Sequence, residues 1–142
     1  YRYYVTLRKD PFQESRMLRL HFPLDFERMN VAAAELLHFT DFTSFSKLHT
    51  DVKTNNCRVT EAYWRPGAEP GQWIFTITAD RFLRNMVRAV VGTLFQVGKG
   101  RLSVEDFAAV VEAKDRGRAG SSAPGHALYL EAVGYPEELY LD

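Results

Sequence analysis

Apolar and polar positions along this chain repeat with two different periods, and each change of period marks an element. Residues 1–7 are aromatic and β-branched with partial alternation, which predicts a strand ended by Lys9, Asp10 and Pro11. Residues 17–22 form a second, weaker strand candidate. After Pro23, Asp25 reads as an N-cap, and Phe26, Met29, Ala33, Leu36 and Leu37 supply one apolar face of a helix that should stop near His38. Residues 41–47 are compact, aromatic and polar, and a polar, loop-like stretch follows to Asn56. Segments 58–64 and 72–79 predict an antiparallel hairpin across the Pro- and Gly-rich turn 65–71. In its second arm Trp73, Phe75 and Ile77 alternate against Ile74, Thr76 and Thr78, so one face of that strand should be core.

Segment 79–101 then takes up a helical period. Phe82, Leu83, Met86, Val87, Val90, Val91, Leu94 and Phe95 make a broad apolar face. At about 100° per residue, Arg81, Arg84, Asn85, Arg88, Gly92 and Gln96 fall on one narrow opposite stripe. This predicts a row of cations on a rigid helix. Ser103-x-x-Asp106 is a capping-box start for a further helix through Phe107, Val110 and Val111 to Lys114. Loop 114–125 carries three cations and three glycines, and a strand is expected over 127–135. The order of elements is that of an α+β fold, an antiparallel sheet packed on helices.

The length of 142 residues and 46% hydrophobic content fit one domain with a real core. Net charge is zero, so affinity for a polyanion must come from a local patch. The charge is unevenly placed: residues 81–101 hold five basic residues and no acid, whereas 129–142 hold four acids and no base. The missing partner of the cation row is either a carboxylate on another segment or a phosphate. Cys57 is the only cysteine, which excludes an internal disulfide and a Cys-x-x-Cys site and fits a reducing cytosol. No apolar run reaches the roughly 18 residues of a membrane span, and the absence of an initiator methionine reads as a piece of a longer polypeptide.

Bland alternatives stand beside each candidate. Arg88 either snorkels along its helix or holds a partner, and Lys114, Arg116 and Arg118 either grip phosphates or solvate a loop. Asp41, Thr43 and Ser44 read as a structural turn, because no histidine is placed to complete a relay. His21, His38, His49 and His126 lack ligand spacing, so no metal is expected, and no phosphate-binding Gly-Lys-Ser/Thr loop suggests ATP use.

Four pieces occur in order: Tyr1-Arg2-Tyr3; Asp41-Phe42-Thr43-Ser44-Phe45; Arg81-Phe82-Leu83-Arg84-Asn85-Met86-Val87-Arg88 with Gly92; and Lys114-Asp115-Arg116 ahead of Ala123-Pro124 and Leu128-Tyr129-Leu130. Together they resemble the C-terminal half of the bacterial tRNA pseudouridine synthase A family, over nearly the whole chain. The resemblance implies a mixed, mainly antiparallel sheet with flanking helices, and residues 1–142 as one C-terminal domain whose N-terminal companion is missing. It also implies a cytoplasmic isomerase that converts uridine to pseudouridine in the anticodon stem-loop of tRNA. The family works as a homodimer without a metal or organic cofactor.

Residue by residue, the resemblance assigns Tyr1 as the ring that packs on the target uracil and Arg88 as the partner of the catalytic aspartate. Leu128 and Leu130 would line the pocket, and Arg81, Arg84, Lys99, Arg101, Lys114 and Arg116 are the candidate RNA contacts. The family's nucleophile sits in an Arg-Thr-Asp-Ala-Gly segment, and none of the ten acids before Arg81 has those neighbours. The role is therefore transferred to no acid here, and the chain alone is expected to be inactive. The alternative reading is a non-catalytic RNA-binding or dimerisation module, in which the arginines meet phosphates and the apolar flank meets a partner chain.

Overall fold

A computed structural model describes residues 1–8, 16–47 and 54–131 of the chain. The turn at Lys9, Asp10 and Pro11, most of the polar stretch before Asn56, His49 and the strand expected beyond Glu131 lie outside the described residues. A five-stranded sheet is assembled around strand β1 (Arg2–Thr6). The other strands are β2 (Leu18–Arg19), β3 (Val59–Pro66), β4 (Gln72–Ala79) and β5 (Leu128–Tyr129). One edge of β1 pairs antiparallel with β4, which pairs antiparallel with β3. The other edge is divided: β2 runs parallel beside Val5 and Thr6, and β5 runs antiparallel beside Arg2 and Tyr3. The sheet is thus mixed and mainly antiparallel, with helices on one face, as expected.

Alternation decides which side chains meet those helices. Tyr3 and Val5 of β1, Phe75 and Ile77 of β4, and Ala62 and Trp64 of β3 are buried in one core. Helix α1 (Phe26–Ala34) starts where Asp25 accepts the Arg28 amide at 3.0 Å, and buries Phe26, Met29, Ala32 and Ala33. It tightens into a 3₁₀ turn over Glu35–His38, ending where the sequence predicts. The tightening corrects one position. At about three residues per turn Leu36 stays in the core while Leu37, expected on the apolar face, swings out to 44% exposure.

Helix α2 (Met86–Gly98) is the centre of the molecule, with eleven of its residues buried. It packs on α1 and on α3 (Val104–Ala113), and α3 opens on the expected capping box between Ser103 and Asp106. The start of α2 corrects the sequence reading, which placed it at residue 79. Ala79 still pairs with Val59 in the hairpin, and Asp80 receives the Arg58 amide on its carboxylate at 2.8 Å. Asn85 then takes a left-handed conformation, φ 69° and ψ 4°, before the first helical residue. Arg81, Arg84 and Asn85 therefore precede the helix. The second strand candidate also contracts, from 17–22 to two residues, because β1 offers it only the pairing beside Val5 and Thr6.

The outer edge of β3 is guarded by one side chain. Asn30 of α1 accepts the Trp64 amide on its side-chain oxygen and donates its own NH₂ to the Trp64 carbonyl at 3.0 Å. The amide group thereby stands in for a neighbouring strand at that position. Among the described residues no helix is long and apolar enough to cross a membrane, and no group of three or more His, Cys, Asp or Glu could hold a metal ion. Asn30→Ala strips both bonds from Trp64 and is expected to cost about 1–3 kcal/mol in urea unfolding. An unchanged midpoint would show that the edge gains nothing from Asn30.

Candidate active-site cleft

Three segments remote in sequence meet at the N-terminal end of α2. Tyr1 extends the β1 ladder, exchanging hydrogen bonds with Ile77 at 3.0 Å in each direction, so it holds its strand position. Its ring meets Phe82 edge to face, with centroids 4.9 Å apart. Leu128 of β5 lies opposite Tyr3 in register. Tyr1, Phe82, Leu83 and Leu128 line an open cleft of about 550 Å³, and Lys47, Arg84 and Arg88 line the same space. Among the described residues the lining contains no carboxylate. The cleft thus combines aromatic and aliphatic side chains with three cationic ones.

Arg88 is the only one of the three expected helical arginines that lies on α2. Its Nε donates to the Ala123 carbonyl at 2.8 Å, while its own carbonyl accepts the Ala123 amide at 2.9 Å. The guanidinium is thus held at one edge, and its Nη groups have no hydrogen-bond partner among the described residues. Loop 119–125 reaches this position because Gly92 leaves room. A Cβ there would overlap the Ser121 carbonyl and lie 2.9 Å from its carbon and 3.2 Å from the Ala123 nitrogen. Gly92 and Gln96 were expected on an open polar stripe; Gly92 is instead buried beneath this loop. The Gly120 amide donates to Thr93 Oγ1 at 2.9 Å, and the Tyr3 hydroxyl donates to the Pro124 carbonyl at 2.6 Å. Burial pushes the Tyr3 hydroxyl well above the ordinary tyrosine value, against the opposing pull of the nearby Arg88 charge.

The remaining candidates disperse. Leu130 follows β5 but is 73% exposed and is not part of the cleft lining. Arg81 donates to the carbonyls of Thr54 and Asn56 at 3.0 and 3.1 Å, tying down the chain ahead of β3. Arg84 is exposed at the rim, its carbonyl accepting the Lys47 amide at 3.1 Å. Lys99 and Arg101 sit about three helical turns beyond Arg88, with the Lys99 ammonium 3.9 Å over the Phe22 ring. Lys114 lies 3.9 Å from Asp41, a solvent-exposed pair of small energetic weight. Arg116 gives one Nη to the Gly120 carbonyl and the other to Ser122 Oγ, both at 3.0 Å.

Asp41 forms the expected turn, its Oδ1 accepting the amide and hydroxyl of Thr43 at 3.0 and 2.6 Å. Ser44 locks the next turn to α3, donating to the Val110 carbonyl at 2.6 Å and accepting the Asp115 amide at 2.9 Å. Two contributors escaped sequence reasoning. Lys47 reaches the rim only through the backbone bond to Arg84. Ser122, bonded to the Asn85 amide, carried no signal beyond a polar loop.

The comparisons with known proteins agree with one another. The family model described as tRNA pseudouridine synthase matches residues 32–136. The tRNA pseudouridine synthase A of Porphyromonas gingivalis is 68% identical over 141 residues, covering 99% of this chain and 56% of that protein. That of Parabacteroides distasonis is 60% identical over 99% of this chain and 55% of its own length. That of Bacillus subtilis is 40% identical over 95% and 55%. The chain spans a little over half the length of the curated relatives it matches.

Two stability outcomes test this geometry. Gly92→Ala forces the loop off α2 and is expected to cost about 3 kcal/mol, since backbone rather than a flexible side chain occupies the space; a loss under about 0.5 kcal/mol would contradict the close approach. Tyr3→Phe should be the less stable protein near neutral pH. Because the folded state holds the Tyr3 proton more tightly than the unfolded chain, wild-type stability falls once pH exceeds the ordinary value of about 10. The stability gap should therefore move in favour of Tyr3→Phe as pH rises above that value, and a pH-independent gap would refute the burial of this hydroxyl.

Proposed function

The chain belongs to the tRNA pseudouridine synthase family, and on that premise we propose that it supplies the base platform and the essential cation of a uridine-isomerising cleft. The observation that carries this reading is the convergence of the Tyr1 ring and the Arg88 guanidinium on one cleft. A uridine can be attacked only after leaving its stack, and an aromatic or apolar surface offsets the few kcal/mol of unstacking. Tyr1 and Leu128 provide such a surface.

The attacking group in this reading is an aspartate carboxylate from the other half of the protein. Burial by the bound base raises a carboxylate's pKa, and a fixed guanidinium opposes that shift while aiming both oxygens. With Nε held by Ala123, the Nη groups of Arg88 are the donors that remain for this task. In this reading the carboxylate attacks the sugar carbon and displaces the uracil nitrogen. The base turns, and a ring carbon displaces the carboxylate in its turn and gives up its proton, so carbon–carbon replaces carbon–nitrogen and the aspartate is regenerated. The detached base must stay in the cleft meanwhile, which apolar walls favour.

Arg84 at the rim, with Lys47 beside it, is proposed to meet the phosphates flanking the target nucleotide, and Arg81, Lys99, Arg101 and Lys114 more distant ones. The anticodon stem-loop as substrate, the homodimer and the cytoplasmic setting belong to the same proposal and rest on the family resemblance. In the whole protein, Arg88→Ala should lower pseudouridine formation at least roughly a hundredfold while tRNA affinity changes less than about threefold. A variant that turns over normally would remove Arg88 from the reaction.

A further inference from the structure

Arg88 does not aim itself, and the parts that hold it lead outward from the cleft. Asn85 stands one turn before it, in a left-handed conformation that few side chains tolerate. The Asn85 side-chain NH₂ donates to Ser122 Oγ, and that same oxygen accepts Nη2 of Arg116 at 3.0 Å. Arg116 also holds the Gly120 carbonyl at 3.0 Å, while Asp115 closes the turn beneath by accepting the Gly117 amide at 2.9 Å. The next residue after Ser122 is Ala123, whose amide and carbonyl bracket Arg88. One hydroxyl oxygen therefore joins the start of α2 to the loop that grips the guanidinium.

We infer that Asn85, Ser122 and Arg116 are positioning residues for Arg88, acting through Ser122 Oγ, and that Arg116 serves the reaction through this oxygen rather than as a phosphate contact. This rests on the reading that Arg88 serves the isomerisation. The position of the carbonyl of Ala123 depends on where Ser122 is pinned. Releasing that pin lets the loop slide along the face of α2, and an ångström of drift in a guanidinium aimed at a carboxylate is enough to disturb reaction geometry. Half-buried Arg116 and Ser122 are not part of the cleft lining, whereas Asn85 is. Substrate contact thus gives no competing account of the Ser122 variants, and for Asn85 the double variant separates positioning from contact.

The test uses the whole protein and measures kcat and KM for unmodified tRNA together with thermal stability. Ser122→Ala removes the shared oxygen, and Asn85→Gly keeps the left-handed backbone accessible while deleting the amide. Each should lower kcat about tenfold or more with KM for tRNA within about twofold, and Ser122→Thr, which keeps the hydroxyl, should restore most of kcat. Because both act through one oxygen, the Asn85→Gly, Ser122→Ala double variant should be no slower than Ser122→Ala alone.

Wild-type kcat in folded Ser122→Ala and Asn85→Gly proteins would overturn the inference, as would additive losses in the double variant or a rise in KM in place of a fall in kcat. Should Ser122→Ala fail to fold, Arg116→Ala decides: a fall in kcat with KM kept supports the inference, and a rise in KM alone overturns it. Arg88→Ala measured alongside separates the two levels. If it is inactive while the positioning variants are normal, only this inference falls; if it is fully active, the proposed function falls with it.

Discussion

Loop 119–125 lies along helix α2 on four hydrogen bonds and one steric gap, and the orientation of the Arg88 guanidinium depends on that seam. The bonds run from Asn85 to Ser122, twice between Arg88 and Ala123, and from Gly120 to Thr93. The gap is the missing side chain of Gly92. An arginine side chain carries about 2 kcal/mol of rotamer entropy, and any part of it lost before an anion arrives is not lost on binding. Fixing Nε to a backbone carbonyl fixes the plane of the group and leaves its outer edge available. The seam is a device of preorganisation, in which the side chains of Asn85 and Thr93 pin the loop whose backbone in turn holds Arg88.

The rest of the fold keeps that seam in place. Helix α2 is buried almost all round, packed by α1, α3, the loop at Gly92 and, through Phe95 against Trp64, the sheet, so it has little freedom to shift. Tyr3 connects the two systems. Its side chain sits in the core of the sheet while its hydroxyl holds Pro124, one residue past the grip on Arg88. At the cleft, strand β1 brings Tyr1, the end of the hairpin brings Phe82, and β5 brings Leu128. A chain of zero net charge thereby gathers Lys47, Arg84 and Arg88 at one opening, which concentrates positive potential where a polyanion would arrive.

The parts of the fold legible in the sequence are those governed by neighbours along the chain. Asp25 caps α1 and Ser103 caps α3 because a short polar side chain reaches an amide three residues ahead. The hairpin strands followed from alternation and from the Pro- and Gly-rich turn between them. The arginine row failed for an equally definite reason. Helical periodicity continued back to residue 79, but the pairing of Ala79 with Val59 and the left-handed turn at Asn85 interrupt it, and no local propensity announces either. Leu37 and Leu130, both apolar, ended in solvent because a change of helical pitch and the end of β5 turned them outward.

Taken alone, the order and period of residues determined the α+β class, most element positions, the helix starts set by side-chain caps, and the acid-free run of basic residues over 81–101. It also placed Tyr1 and Arg88 as candidates, through resemblance rather than geometry. Only the tertiary structure decided which cations share a cleft, that Arg116 turns inward to its own loop, and that Gly92 is a contact surface rather than part of an open stripe. The reason is physical: these outcomes rest on hydrogen bonds and close approaches between residues as far apart as Tyr3 and Pro124, 121 positions along the chain. Such partners are chosen by packing, and packing leaves no periodic trace in a sequence.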